Sequence, residues 1–312
     1  MTTGKQRKTE ATKRGDKKVF SYMRTLQQGT SGTEARTTVQ PLPELIGHAA
    51  TWELLQRLVR RGRFPAGVLL AGPPGVGKRT LATRIAHELF AMPTDAELTG
   101  HPDFLQLVPL EDSALRDRLV QLLHHVHTRP VHGNVRVILL EHVDQLSAAA
   151  AALLLKAVED APTYAKFLLT ATLLDRVAST VRSRALVRTL APVPEAALSE
   201  ALRTRGVGDA EELARLSGGR PGLALRLAAD AELLGRYRSW EAVITHSRPV
   251  GPDLLPSDDG EAAKEFFAFL ESTFRRGTPS AARVRRAREA EAMLRQHVPP
   301  HFVLEYAVRS TP

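Results

Sequence analysis

Buried-strand and helix patterns alternate through the middle of the chain. Residues 51–60 place apolar side chains at helical spacing, and residues 67–71 (GVLLA) form a short apolar run typical of a buried strand. Residues 78 to about 90 again have apolar positions three and four apart. Further strands are predicted at residues 104–108, 135–140, 166–171 and 185–190, with helices between them. This alternation predicts an α/β fold with a parallel sheet covered on both faces.

The strand pattern ends after Pro192. Short helices are predicted at 196–203, 209–216 and 222–234, followed by helical stretches near 261–275 and 280–296. We therefore divide the chain into a polar segment at 1–41, an α/β domain at 42–191, a small helical domain at 192–234 and a further helical domain at 235–312. The first segment is rich in Thr, Gly, Gln and Lys and lacks an apolar face, so we expect it to be disordered.

Charge changes the interpretation of that first segment. The chain has a net charge of +9, and residues 1–24 hold eight Lys and Arg residues against two acids. The body of the protein is therefore nearly balanced, and any bulk attraction to phosphates belongs mainly to the tail. Two interpretations stay open: a nucleic-acid-binding arm, or a solvated extension preceding an alternative start at Met23.

Composition excludes several other classes of protein. The chain has no cysteine, so neither a disulfide framework nor a thiolate zinc site is expected. Its longest apolar runs fall short of the roughly 20 residues that span a bilayer, and the basic N-terminus lacks the apolar core of a secretory signal. We expect a cytoplasmic protein without a membrane partner.

Residues 72–78 form a candidate phosphate loop between the strand at 67–71 and the helix that follows. In such a loop the glycines turn backbone N–H groups toward phosphates, the helix N-terminus adds a positive dipole, and the lysine reaches the terminal phosphates. The motif and its context agree, so we interpret it as a structural phosphate loop. The loop consists of Gly72, Pro73, Pro74, Gly75, Val76, Gly77 and Lys78.

Two positions depart from an active ATPase. The residue after the loop lysine should be Ser or Thr, whose hydroxyl coordinates magnesium, but here it is Arg79. The strand at 135–140 should be followed by paired acids, one for magnesium and one for the attacking water, but here the pair is Glu141 and His142. Glu141 keeps a carboxylate that can serve a metal, whereas we interpret His142 as an ordinary strand-end residue. Weak or vestigial ATP binding without magnesium and without turnover is the expectation.

Several further motifs occur in a fixed order along the chain. They are LIGH at 45–48, GPPGVGKRTLA at 72–82, HPDF at 101–104, AALLLKAVEDAP at 151–162, VRSRA at 181–185 and HVPPHFVLEY at 297–306. Together these motifs resemble those of the bacterial DNA polymerase III clamp-loader family, a branch of the AAA+ proteins. The resemblance covers residues from about 45 to 306.

The resemblance implies a AAA+ P-loop domain followed by a helical lid at 192–234 and an all-helical, collar-like domain at 235–312. Thr170 falls where the family has a sensor residue, and Arg184 falls where it has an arginine finger. The degenerate site and the glycine at 222, where motor subunits have an arginine, resemble the delta-prime type of subunit. The implied partners are other clamp-loader subunits in a hetero-oligomeric ring, the sliding clamp and primed DNA. The family's usual zinc-binding cysteines are missing.

Two other functions remain open on the sequence. One is an autonomous AAA+ ATPase, either a motor-type clamp-loader subunit or a helicase loader, and it would require magnesium-dependent turnover by the isolated chain. The other is a DNA-binding protein acting through the basic tail alone. For Arg184 itself, the alternative to a finger is a surface or strand-capping arginine.

Overall fold

The computed structural model describes most of the chain between residues 45 and 244 and scattered positions beyond. The predicted basic tail at 1–41 lies outside the described residues, as does most of the predicted helical domain at 235–312. Helices were predicted at 261–275 and 280–296, and every described residue within these two stretches is helical. The described residues are 45–94, 96–108, 115–244, 265–266, 268–270, 273, 285, 289, 293, 303 and 306.

The chain forms two compact units. Among the described residues, the first takes in Ala50–Ala71 and Arg79–Thr189. The second takes in Leu45–Ala49, Gly72–Lys78 and the described part of Leu190–Pro312. Each unit has a hydrophobic core of its own, as expected of separately folding parts of a chain.

A parallel five-stranded sheet forms the centre of the first unit, and this confirms the fold class predicted from the alternating pattern. The strands stand in the order β2-β3-β4-β1-β5, and each hydrogen-bonded pair is parallel. All residues of the first and third strands are buried, because both faces of the sheet are covered. The strands are β1 (Gly67–Ala71), β2 (Phe104–Leu107), β3 (Arg136–Leu140), β4 (Ala165–Ala171) and β5 (Leu186–Thr189).

The strand register determines which residues meet at the carboxyl edge of the sheet. Leu140, the last residue of β3, pairs with Leu169 of β4, and Leu70 of β1 pairs with Thr170. Glu141 directly follows β3, so it lies beside the end of β4 where Thr170 is located. Ligands of open parallel sheets generally bind at this edge.

Helices cover the sheet, and their apolar faces complete the first core. Leu119 and Leu154 from two of these helices pack in one cluster with Phe167 and Leu169 of β4. The Ser147 hydroxyl accepts the N–H of Ala150 at 3.3 Å and so caps the helix that begins at Ala148. The helices are α1 (Ala49–Arg60), α2 (Lys78–Phe90), α3 (Leu115–Val126), α4 (Ala148–Glu159) and α5 (Ser179–Arg184).

Among the described residues of the second unit, every regular element after residue 190 is a helix. Its core contains an aromatic cluster in which the Tyr237 and Trp240 rings lie 4.7 Å apart and Phe266 meets Trp240 edge-on at 5.3 Å. Burial raises the pKa of Tyr237 to about 12. The helices with full bounds are α6 (Glu195–Thr204), α7 (Ala210–Leu216), α8 (Pro221–Ala229) and α9 (Ala231–Ile244). None of the described helices has the length and apolar content required to cross a membrane.

One predicted helix is in fact two. The stretch 222–234 contains the end of α8 and the start of α9, because Asp230 has an extended backbone (φ −126°, ψ 101°). The Asp230 carboxylate accepts the N–H of Leu233 at 2.9 Å and caps the second helix. Strand bounds differ from the prediction by one residue at several ends; β3, for example, begins at Arg136 rather than at residue 135.

Candidate functional site

The phosphate loop adopts a conformation that only glycines accept comfortably. Gly72, Gly75 and Gly77 have φ values of +152°, +77° and +110°. A Cβ atom at Gly72 would lie 2.4 Å from the carbonyl oxygen of Leu190, so no larger residue fits there. The N–H of Val76 donates to the carbonyl of Pro73 at 3.3 Å and closes the turn, in which Pro74 is exposed. These residues form the loop geometry predicted from the motif.

The lysine of the loop is turned onto the loop's own backbone. Lys78 is 8% exposed, and its Nζ donates to the carbonyl oxygens of Gly72 at 2.6 Å and Pro73 at 3.0 Å. A phosphate entering the loop would compete with these two carbonyls for the ammonium group. The Lys78 ammonium group is therefore already held at the loop before a phosphate binds.

Two other segments of the second unit contact the same loop. The N–H of Gly222, at the start of α8, donates to the carbonyl of Gly75 at 2.7 Å. A Cβ at Gly222 would lie 3.0 Å from that oxygen, so the glycine permits this close backbone approach. The His48 ring nitrogen Nε2 lies 3.0 Å from the Val76 carbonyl.

On the first unit, Arg79 and Glu141 form an ion pair. Arg79 Nε lies 3.6 Å from Glu141 Oε1, and the same oxygen accepts a hydrogen bond from Gln106 Nε2 at 2.8 Å. The Arg79 side chain is 64% exposed, whereas that of Glu141 is 9% exposed. The structure thus brings together the two positions that bind magnesium in an active P-loop ATPase, with a guanidinium in contact with the acid.

A hydrogen bond joins the backbone of His142 to the side chain of Thr170. His142 has a left-handed conformation (φ 51°, ψ 43°), which is uncommon for a residue with a side chain. Its N–H donates to the Thr170 hydroxyl at 3.3 Å, and Thr170 is buried on β4. The sensor-like threonine therefore supports the turn that follows β3.

Arg184 ends α5 and is partly exposed. Its Nε forms an ion pair with Glu159, the last residue of α4, and its Nη1 donates to the Ser183 hydroxyl at 3.1 Å. The side chains of Arg184 and Glu159 are 44% and 38% exposed. A guanidinium at this position is open to a ligand from outside the chain.

Sequence reasoning missed the partners of the singled-out residues. Gln106, which contacts Glu141, is the one polar residue in the strand sequence FLQL and could have been noticed for that reason. Glu159 gives no local signal, because its contact with Arg184 depends on how α4 and α5 pack. The buried ion pair of Asp103 with Arg136, at 2.9 Å, was also missed, although Asp103 belongs to the HPDF motif.

Comparison with known proteins agrees with this geometry. Residues 47–194 match the family described as DNA polymerase III, delta subunit. The replication factor C small subunit of Archaeoglobus fulgidus is 26% identical over 162 residues, which cover 52% of this chain and 49% of that protein. The DNA polymerase III subunit tau/gamma of Haemophilus influenzae is 28% identical over 172 residues, which cover 51% of this chain and 25% of that protein. The chain thus spans half or less of the length of these relatives.

A solved structure supports the same fold. The DNA polymerase III gamma subunit-related protein of Thermotoga maritima superimposes with a TM-score of 0.54 at 16% identity, covering 82% of this chain and 97% of that one. The parallel sheet, the phosphate loop and this likeness define a AAA+ P-loop fold. Within that class, the matched family and the two relatives support a protein of the clamp-loader type.

Proposed function

We propose that this chain is a delta-prime-like subunit of a clamp loader. It assembles with motor subunits in a hetero-oligomeric ring, acts in the cytoplasm on the sliding clamp and primed DNA, and supplies Arg184 in trans to the ATP of a neighbouring subunit. The observation that carries the proposal is the exposed Arg184 guanidinium at the end of α5, held by Glu159 and Ser183. A guanidinium supplied in trans stabilises the charge that develops during phosphoryl transfer.

The chain's own nucleotide site supports a passive role in hydrolysis. Arg79 replaces the magnesium hydroxyl and pairs with Glu141, the acid that would hold the metal. His142 replaces the acid that would polarise water, and an imidazole at this position is a poor match to that task. We propose that ATP binds here weakly or vestigially, without magnesium, while turnover occurs on the neighbour.

The alternative is an autonomous AAA+ ATPase, either a motor-type subunit or a helicase loader. The intact loop glycines and Lys78 favour it, because they are the groups that bind triphosphates. Its requirement is magnesium-dependent hydrolysis by the isolated chain. This requirement separates it from the delta-prime proposal.

A reconstituted clamp loader tests the role of Arg184. Arg184→Ala should leave assembly intact and lower DNA-stimulated ATP hydrolysis by the neighbouring subunit by a factor on the order of 10³ or more. Arg184→Lys should rescue little, because an ammonium lacks the planar fork of donors. Arg182→Ala is the matched control, since Arg182 lies on the same helix, is partly exposed and pairs with Asp175 instead. Unchanged turnover with Arg184→Ala would remove the finger role.

A further inference from the structure

Three acceptors contact the Arg184 guanidinium, one at Nε and two at Nη1. Its Nε contacts the Glu159 carboxylate, and its Nη1 donates to the Ser183 hydroxyl at 3.1 Å and to the Thr180 carbonyl at 3.4 Å. The Ser183 hydroxyl in turn donates to the same Thr180 carbonyl at 2.9 Å, so its own orientation is fixed. Among the described residues, nothing accepts a hydrogen bond from Nη2 of Arg184.

The contacts around Arg184 contribute little to the stability of the fold. Both side chains of the ion pair are more than a third exposed, and exposed pairs add little to the free energy of folding because water and salt screen them. What the contacts do restrict is the rotation of a long side chain. An arginine held at Nε and Nη1 has lost its rotamer freedom before a ligand binds.

We propose that Glu159 and Ser183 are positioning residues for Arg184. They fix the guanidinium so that Nη2 is presented, already oriented, to an anionic oxygen of the neighbouring subunit's nucleotide. The inference rests on the proposed finger role of Arg184 and deepens it. Preorganised donors act most strongly on the transition state, and a misplacement of about 1 Å can cost about 100-fold in rate.

An inhibitory role for Glu159 would predict the opposite effect of its removal on the rate of ATP turnover. A carboxylate that competed with the neighbour's phosphate for the guanidinium would inhibit turnover, and its removal would raise the rate. The geometry favours positioning, because Glu159 contacts Nε and leaves Nη2 without a partner among the described residues. A phosphate oxygen can then bind without displacing the carboxylate.

The test is steady-state ATP hydrolysis by the reconstituted, DNA-bound complex carrying Glu159→Gln, Ser183→Ala or Ser183→Thr in this subunit. Glu159→Gln and Ser183→Ala should each lower kcat by roughly 10-fold while KM for ATP stays within about twofold, because the loss falls on the transition state. Ser183→Thr keeps the hydroxyl and should restore most of the rate. Asp175→Asn, which removes an exposed acid paired with Arg182 instead, is the matched control and should change nothing.

A double-mutant cycle separates positioning from general structural effects. In the Arg184→Ala background, Glu159→Gln should cause no further loss, because a positioning residue acts only through the group that it positions. The melting temperature of the isolated chain should be the same for all variants. A loss that is additive with Arg184→Ala, an unchanged rate or a raised rate with Glu159→Gln would overturn the positioning role while leaving the finger intact. If Arg184→Ala itself has no effect, the proposed function fails and the positioning role fails with it.

Discussion

The Arg79 guanidinium lies 3.6 Å from the Glu141 carboxylate, although 61 residues separate the two along the chain. In an active P-loop ATPase these two positions carry a hydroxyl and an acid that share a magnesium ion. Here the side chains contact each other, and Gln106 donates to the same carboxylate oxygen at 2.8 Å. The positive charge beside the Glu141 carboxylate is therefore supplied by the Arg79 guanidinium.

This ion pair predicts how the isolated chain handles nucleotide. ATP hydrolysis should not exceed background, and any ATP binding, measured by fluorescence or calorimetry, should be no tighter with magnesium than with EDTA. Arg79→Thr restores the hydroxyl and frees Glu141, so it should make binding magnesium-dependent while hydrolysis stays at background, because His142 is unchanged. Turnover by the unaltered chain that disappears with Lys78→Ala would show that the site is competent after all.

The buried ion pair of Asp103 with Arg136 predicts a large effect on stability. The Asp103 carboxylate is fully buried and accepts the N–H groups of Val131 and His132 at 2.8 and 2.6 Å, besides Arg136. Asp103→Asn leaves the arginine charge buried without its counter-ion, so it should lower the free energy of unfolding by about 3 kcal/mol. Urea unfolding at pH 7 measures this loss. Asp175→Asn, at a fully exposed acid, is the control and should shift the midpoint little.

The same carboxylate predicts a dependence on pH. Burial raises the pKa of Asp103, but the hydrogen bonds from His132, Arg136 and Val131 and the charge of Arg136 outweigh burial and lower the pKa below its ordinary value. The stabilisation is therefore complete above the ordinary value, near 4, and is lost as the pH falls through the lower pKa of the folded state. The stability gap between the unaltered chain and Asp103→Asn should be constant from pH 5 to 8 and should narrow below pH 4. A gap that persists at lower pH would contradict this assignment.

Removal of residues 1–40 tests the interpretation of the basic tail, which lies outside the described residues. The segment lacks a periodic apolar face, so its removal should leave the melting temperature and subunit assembly unchanged. DNA affinity should fall, and its dependence on salt should become shallower, because most of the net positive charge is removed. A full-length variant with the tail's Lys and Arg replaced by Gln should behave in the same way. A markedly lower melting temperature after truncation would show that the segment packs on the body.

Local periodicity was sufficient for the sheet and for most of the helices. The run GVLLA and the helix beginning at Lys78 appear where the pattern predicts them, because buried strands and amphipathic helices each leave a repeat in the sequence. The break at Asp230 was missed, since a polar residue inside a helical pattern also suits an exposed face. Its role as a cap is visible only from the hydrogen bond to Leu233.

The candidate sites show a different limit of the sequence. The loop glycines and Lys78 could be predicted because their spacing is itself the motif. The contact of Glu159 with Arg184, and that of Gly222 with Gly75, join residues far apart in the chain through packed helices and loops. No spacing rule connects such residues, so their pairing could only be read from the three-dimensional structure.

Two glycines with nearly equal positive φ values offer a matched test of the second unit. Gly219 and Gly206 have φ values of +73° and +71°, so a side chain at either position costs about 1 kcal/mol in backbone strain. A Cβ at Gly219 would in addition lie 2.3 Å from the Val193 carbonyl oxygen, whereas a Cβ at Gly206 would meet nothing within 4 Å. The Gly219 carbonyl also accepts the Val193 N–H at 2.8 Å, so the two backbones cannot separate without losing that bond.

Gly206→Ala should therefore lower the free energy of unfolding by about 1 kcal/mol, and Gly219→Ala by about 3 kcal/mol or more, because only the second combines strain with a clash against backbone. Urea denaturation followed by Trp240 fluorescence, in a background with Trp52→Phe, measures both, since Trp240 is buried in the core of the same unit. The difference between the two variants isolates the clash, because the strain is common to both. Equal losses would show that the segment carrying Gly219 shifts away from Val193 at no cost, and would contradict the close packing at the start of α8.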